Sequence, residues 1–344
     1  MKIVVTGGTG YIGSHTVVEL QQEGYEVVII DNLTNSYIEV LDGIEAITGV
    51  RPGFEEIDLT SAGMVRDFFV RHNNIDGVIH FAALKAVGES VEMPLEYYYN
   101  NLASLMNVIG CMREFKVSHF VFSSSCSVYG EAKILPVTEA TPRRTAESPY
   151  GNTKVICEDI LRDVMKVNQD MYTIALRYFN PIGAHPSILI GENPRSTPQN
   201  LASCIFRTVT GDQEMLNIFG DDYDTPDGSP IRDYFDVVDL AKAHVVAIRR
   251  MVDKKCRNNY EYFNVGTGTG LTVLEIIRAF ERATGEKVNY KLSGRRPGDV
   301  EKIWADTALA KDELGWSAAI SIEESLANGW KWYRKLRSEI DDIK

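Results

Sequence analysis

The apolar positions of this chain follow two rhythms in turn. Short continuous runs at residues 3–5 and 27–30 read as buried strands. Between them, 12–23 carries apolar residues at helical spacing, with Ile12, Val17, Val18 and Leu20 as core candidates. The alternation continues. Residues 54–57 form a weak strand ending at Asp58, and 62–72 an amphipathic helix with Met64, Val65, Phe68 and Phe69 on its apolar face. Residues 78–82 form a strand. Pro94 stands where a first helical turn tolerates it and opens a helix to about Phe115. The strand 119–122 stops in a serine run, leaving Ser125 just beyond it. Pro149 opens a helix to about Asn168, and 173–176 is the next strand. This order predicts an α/β fold, a doubly wound parallel sheet of the Rossmann type with helices on both faces.

The second half is less regular. Residues 193–198 and 220–230 read as loops, 201–210 and 238–250 as helices, and 262–265 as a strand. Thr272-x-x-Glu275 is a capping box whose helix Gly285 closes, and Ser321-x-x-Glu324 opens the last helix. No linker or repeat interrupts the chain. A first domain over 1–180, with a return segment near 233–262, therefore carries a smaller mixed lobe made mainly of 181–344.

Two glycine-rich turns stand out. Val5-Thr6-Gly7-Gly8-Thr9-Gly10-Tyr11-Ile12-Gly13 lies between a strand and a helix. Such a turn suits a dinucleotide pyrophosphate: Gly7 and Gly8 turn tightly, Gly10 admits phosphate to the backbone, and Gly13 lets helix and strand approach. A carboxylate at Asp31, ending the second strand, accepts hydrogen bonds from an adenosine ribose and repels a 2′-phosphate, which selects NAD over NADP. The second turn, Gly266-Thr-Gly268-Thr-Gly270, precedes a capped helix and reads as a structural connection rather than a phosphate loop.

Composition narrows the partners. The chain has 344 residues, 44% apolar and 24% charged, with a net charge of −12. That balance is globular, and it argues against nucleic acid or an anionic membrane as partner. The five cysteines and six histidines show no ligand spacing, so no metal site is expected. The odd cysteine count predicts reduced thiols and a cytoplasmic setting. No signal segment or bilayer-length apolar run is read.

The chemistry converges on Ser125, Tyr150 and Lys154. Tyr150 and Lys154 are four apart near a helix start, so they share a face. Alone, the pair could be a solvated face. Ser125 would lie with them outside the carboxyl ends of the strands, where this fold binds ligands. A neighbouring ammonium and a cationic nicotinamide would favour the Tyr150 phenolate, a base able to take an alcohol proton while NAD takes the hydride.

Thr6-Gly-Gly-Thr-Gly-Tyr-Ile-Gly13, Ser123-Ser-Ser125 and Tyr150-x-x-x-Lys154 resemble the extended short-chain dehydrogenase/reductase family. Asp31-Asn32-Leu33-x-Asn35-Ser36, the run from His80 to Ser90, Pro94-Leu-Glu-Tyr-Tyr98, Arg177-Tyr-Phe-Asn-Pro181, Gly183-Ala-His-Pro-Ser187 and Arg232-Asp-Tyr234 resemble its UDP-hexose 4-epimerase branch almost end to end. The resemblance implies tightly held NAD and reversible epimerisation at C4 of a UDP-sugar through a 4-keto sugar. It implies that Gly7, Gly10, Tyr11, Ile12, Gly13, Asp31, Asn32, Asn35, Ser36, Asp58, Leu59, Phe81, Ala82, Lys85, Asn100, Tyr178 and Pro181 join Tyr150 and Lys154 around the cofactor. It further implies that Lys85, Phe179, Asn180, Asn200, Leu201, Phe219, Arg232, Arg296, Asp299 and Ile303 join Ser125 and Tyr150 around the substrate. Guanidinium groups at 232 and 296 suit a diphosphate, although either could be a surface ion pair. A homodimer through 94–115 and 149–168 is also implied.

Two departures bear on substrate. Ile303 stands where the family usually has Tyr in bacterial enzymes limited to UDP-glucose and UDP-galactose, and often Cys or Ser in those that also take N-acetyl sugars. Cys126 and Ser127 replace the Asp-Glu pair of the family's dehydratases. An epimerase of N-acetylated sugars and a non-catalytic NAD sensor are the alternatives; the sensor should have lost a member of the triad, and all three are present.

Overall fold

The computed structural model describes residues 1–144, 146–295 and 299–341. Its first half runs β1 (Lys2–Thr6), α1 (Tyr11–Gln22), β2 (Glu26–Asp31), α2 (Val40–Thr48), β3 (Gly53–Glu56), α3 (Ala62–Arg71), β4 (Gly77–His80), α4 (Val87–Glu92), α5 (Pro94–Glu114), β5 (His119–Ser125), α6 (Pro149–Val167) and β6 (Tyr172–Tyr178). Then follow β7 (Asn180–Ile182), α7 (Leu201–Val209), β8 (Leu216–Phe219), β9 (Ile231–Arg232), β10 (Tyr234–Asp236), α8 (Val237–Val252), β11 (Tyr260–Val265), β12 (Leu271–Thr272), α9 (Val273–Thr284), β13 (Tyr290–Ser293), β14 (Lys302–Ile303) and α10 (Ile322–Asp341).

Seven strands pair in the order β11-β6-β5-β4-β1-β2-β3, and every pairing is parallel. Two apolar cores cover its faces. Val5, Ile29, Val121 and Leu176 belong to one, and Val4, Ile30, Phe120 and Ala175 to the other, as the two-residue period of a strand requires. The order reverses beside β1, so ligand space opens at the carboxyl ends of β1 and β4. The chain returns from the second half through α8 and β11, and β11 closes the sheet beside β6. A third core, around Phe206, Phe280 and Trp330, belongs to the smaller lobe.

Three local expectations shift. β5 continues through the serines to Ser125, because all three are buried and bonded rather than solvated. Met64 is 43% exposed; the buried stripe of α3 is Val65, Phe68 and Phe69, and position 64 lies a helical step outside it. The strand expected to reach residue 82 ends at His80, with Phe81 N making the last backbone bond to Thr6 O of β1. Among the described residues, no helix is long and apolar enough to cross a membrane.

Candidate active site

The site begins where β5 ends. Three consecutive serines there meet one face of α6, whose residues 150, 154 and 158 recur every four positions. The carbonyl of Ser123 accepts from Lys154 Nζ at 2.7 Å. Ser124 Oγ donates to Glu158 Oε1 at 2.6 Å. Ser125 shares a hydrogen bond with the Tyr150 hydroxyl. Pro149 and the Ser148 cap, which accepts from Gly151 N at 3.2 Å, fix where that helix starts. The three expected catalytic residues are therefore adjacent.

Glu158 was not singled out by sequence, although its spacing after Lys154 was a usable signal. It receives Arg177 of β6 through Nε at 2.8 Å and Nη2 at 2.5 Å. Arg177 Nη1 donates to Tyr129, which donates to Asn264 of β11. This buried chain ties α6 to three adjacent strands. Losing one partner of such a pair costs about 3–5 kcal/mol.

The electrostatics depart from the expectation. Burial pushes the Tyr150 phenol up to about 12, and the bond from Ser125 acts against that rise. The ring keeps some exposure, but its hydroxyl end lies deep. Burial also pushes the Lys154 ammonium down to about 8. Lys154 Nζ lies 5.9 Å from the Tyr150 ring centroid and points at the Ser123 carbonyl, so its pull on the phenol is weaker than desolvation. The Tyr178 hydroxyl bonds Ser123 Oγ, and burial raises that phenol too.

The glycine turn fits a dinucleotide. Gly7 has φ +70°, and a Cβ there would lie 2.8 Å from Ala82 N; at Gly13 it would lie 2.2 Å from Gly7 O. Gly10 gives α1 no side-chain cap, so the first-turn N–H groups point out of the helix end as a phosphate requires. Around the turn, Asp31 accepts from Thr9 N and Leu33 N, and Ser36 Oγ bonds both Asp31 and Thr9. Asn32 accepts from Thr34 N, and Asn35 from Ser196 N of the second half. Asp58 is exposed after β3, and the Leu59 carbonyl accepts from Asn107. Phe81 and Ala82 follow β4, Ile12 packs half-buried on the core, and Asn100 donates to Asn101. Asn101, also not foreseen, holds the 84 turn and Thr153.

The expected substrate residues fall into groups. The expected cofactor residues Tyr11 and Pro181 line a small pocket with Glu192 and the expected substrate residue Asn200, and Leu201 opens α7 beside it. Lys85 and Asn200 both reach Glu192. Arg232 lies on β9 with Ile303 opposite it in register, and its Nη2 meets Asp299 Oδ1 at 3.2 Å, both side chains largely buried. Ile303 is 3% exposed and shares a core with Tyr178 and Phe179. Asn180 N donates to the Asp233 carbonyl, and Phe219 sits on a separate two-stranded ribbon, β8 with β13. Arg296 lies outside the described residues. Among the described residues, no group of three His, Cys, Asp or Glu could hold a metal.

The second glycine turn is occupied by the protein itself. Asp233 accepts from Thr267 N, Thr267 Oγ1, Gly268 N and Ala305 N at 2.7–3.2 Å. Its carboxylate stands where a phosphate would, and the following helix carries its own Thr272–Glu275 capping box.

A family model described as GDP-mannose 4,6 dehydratase matches residues 4–328. UDP-glucose 4-epimerase of Bacillus subtilis is 48% identical over 332 residues, covering 96% of each chain. The UDP-glucose 4-epimerase of Bos taurus is 44% identical over 97% of each. A crystal structure of the Stenotrophomonas maltophila UDP-glucose-4-epimerase, with bound NAD and formylated UDP-arabinopyranose, superposes with a TM-score of 0.94 at 43% identity, covering 98% of this chain and 99% of that one. The Bifidobacterium longum enzyme, in complex with NAD+ and UDP, gives 0.93 at 43% identity over 97% and 98%. On similarity of this depth and length, the chain belongs to the family that the dehydratase model describes and, within it, to the UDP-glucose 4-epimerases.

Proposed function

We propose that this chain interconverts UDP-glucose and UDP-galactose at C4, using tightly bound NAD, and that Ser125, Tyr150 and Lys154 perform the proton work. The observation that carries the reading is the fit of one α6 face to three successive serines at the mouth of the crevice. The Gly7–Gly13 turn and Asp31 would hold the dinucleotide. Bound NAD would supply a hydride acceptor for the C4 hydrogen and return it to the other face of the 4-keto sugar.

The chain's own residues do the rest. Ser125 Oγ hydrogen-bonds the reacting O4. Tyr150, as phenolate, takes the O4 proton as the C4 hydrogen departs, then returns it. Burial alone keeps the phenol protonated, so the base form depends on positive charge in the crevice, from the Lys154 ammonium and the bound nicotinamide. Arg232 and Lys85 supply cations for the diphosphate in a chain of net charge −12. Dehydration is disfavoured: position 126 is a thiol pushed by burial up to about 12, and 127 a buried hydroxyl, so neither is a carboxyl acid.

Incubation with UDP-galactose, without added NAD, should give UDP-glucose. Tyr150→Phe should abolish turnover, by roughly a thousandfold or more, with NAD content unchanged; an unimpaired rate removes Tyr150 as the base. A second reading adds N-acetylated UDP-sugars, because Ile303 offers an aliphatic wall instead of a phenol. Parallel incubation with UDP-N-acetylgalactosamine decides it, and absence of product ends it. We also propose a homodimer through α5, which exposes Leu95, Tyr99 and Met106 at 78%, 67% and 51% on one helical face. Leu95→Glu should yield monomers in sedimentation, and a wild-type monomer contradicts the interface.

A further inference from the structure

Glu192 is absent from the expected site residues, yet two of them point at it. Its Oε1 accepts from Asn200 Nδ2 at 2.5 Å and lies 3.5 Å from Lys85 Nζ, while Oε2 accepts from Ser203 Oγ at 2.5 Å. The carboxylate is 12% exposed and its backbone is clamped. Trp332 Nε1 donates to the Glu192 carbonyl at 3.0 Å, and a Cβ on Gly191 would lie 2.3 Å from the Trp332 ring. Ala184 pairs with Gly191 to close the loop that leads into it. Glu192 is thus a fixed anion, whereas Lys85 is 51% exposed on a flexible stem.

An ammonium and an amide N–H are the donors a diphosphate needs. Here a protein carboxylate already engages both. We propose that Glu192 competes with the substrate's diphosphate for Lys85 and Asn200, a device that speeds release of a highly charged product. This rests on the reading of Lys85 and Asn200 as substrate residues. Substrate and product carry the same UDP group, so tight uniform binding of that group lowers KM and slows exchange without aiding the chemical step. A carboxylate that takes the donors back restores exchange, and its charge repels the diphosphate at close range.

The sign of the effect separates this role from a structural one. Glu192→Gln keeps the size of the side chain, removes its charge and leaves one acceptor oxygen, enough for Ser203 or Asn200 but not both. In calorimetric titration of the NAD-loaded protein, the variant should bind UDP roughly tenfold more tightly, with uridine affinity unchanged and KM for UDP-galactose lowered in parallel. Equal or weaker UDP binding overturns the proposal, as does an equal gain for uridine. Should Glu192→Gln fail to fold, Glu192→Asp retains the charge on a shorter stem and should tighten UDP binding about threefold; no gain there overturns the proposal too. A wild-type protein that binds no UDP overturns the underlying site reading instead.

Discussion

The two glycine-rich turns of this protein share a pattern and differ in what fills them. Both follow a strand of the central sheet and lead toward a helix. At Gly7–Gly13 the helix starts without a side-chain cap, and Gly7 and Gly13 sit against backbone that cannot yield. At Gly266–Gly270 the chain supplies its own anion, Asp233, and its own cap, Thr272. The first turn gives Asp31 only the N–H of Thr9 and leaves the helix end open for phosphate, whereas Asp233 takes both Thr267 N and Gly268 N of the second.

Substitutions that break each turn should separate them. The largest effect is expected at Gly13→Ala, whose Cβ would lie 2.2 Å from Gly7 O and 2.8 Å from Gly8 Cα. Because both obstacles are backbone, the turn must deform, and retained NAD should fall by roughly a hundredfold in affinity. NAD content measured after gel filtration checks this; a fully loaded variant would show that the turn does not hold the cofactor. Next comes Asp233→Asn. An amide offers one acceptor where the carboxylate offers two, and its NH2 would face N–H donors. Chemical denaturation should show a loss of about 2–4 kcal/mol with NAD content unchanged. Loss of NAD instead would mean that the second turn contacts the cofactor. The smallest effect is expected at Thr272→Ala, which removes the cap that accepts from Glu275 N at 3.0 Å. A loss of about 1 kcal/mol, with turnover intact, would mark this end of the molecule as scaffold; a large fall in turnover would contradict that division.

The first half was more legible than the second because its signals are local. Runs of Val and Ile, prolines at helix starts and a tyrosine–lysine pair four apart are all readable within a dozen residues. Where the reading faltered, polar or sparse patterns were responsible. The serines of β5 look like a loop until Lys154, Glu158 and Tyr150 are seen to engage them. The helix α2 packs Val40, Leu41, Ile44 and Ile47 on the core at helical spacing, a short signal of nine residues with Gly43 near its centre. β8 and β13 pair across some seventy residues of chain; β8 alternates over only four residues and β13 is mostly exposed, so neither stands out as a strand.

By itself the sequence determined the parallel sheet, the open glycine turn and the face of α6 that Tyr150 and Lys154 share, since each follows from local spacing along the chain. Only the tertiary structure decided that Asp233 fills the second turn from 34 residues away, that Ile303 lies opposite Arg232, and that Glu192 gathers Lys85 and Asn200. Those are meetings of residues far apart in the chain. They are chosen by how the lobe packs on the sheet, and no local period of apolar and polar positions encodes that choice.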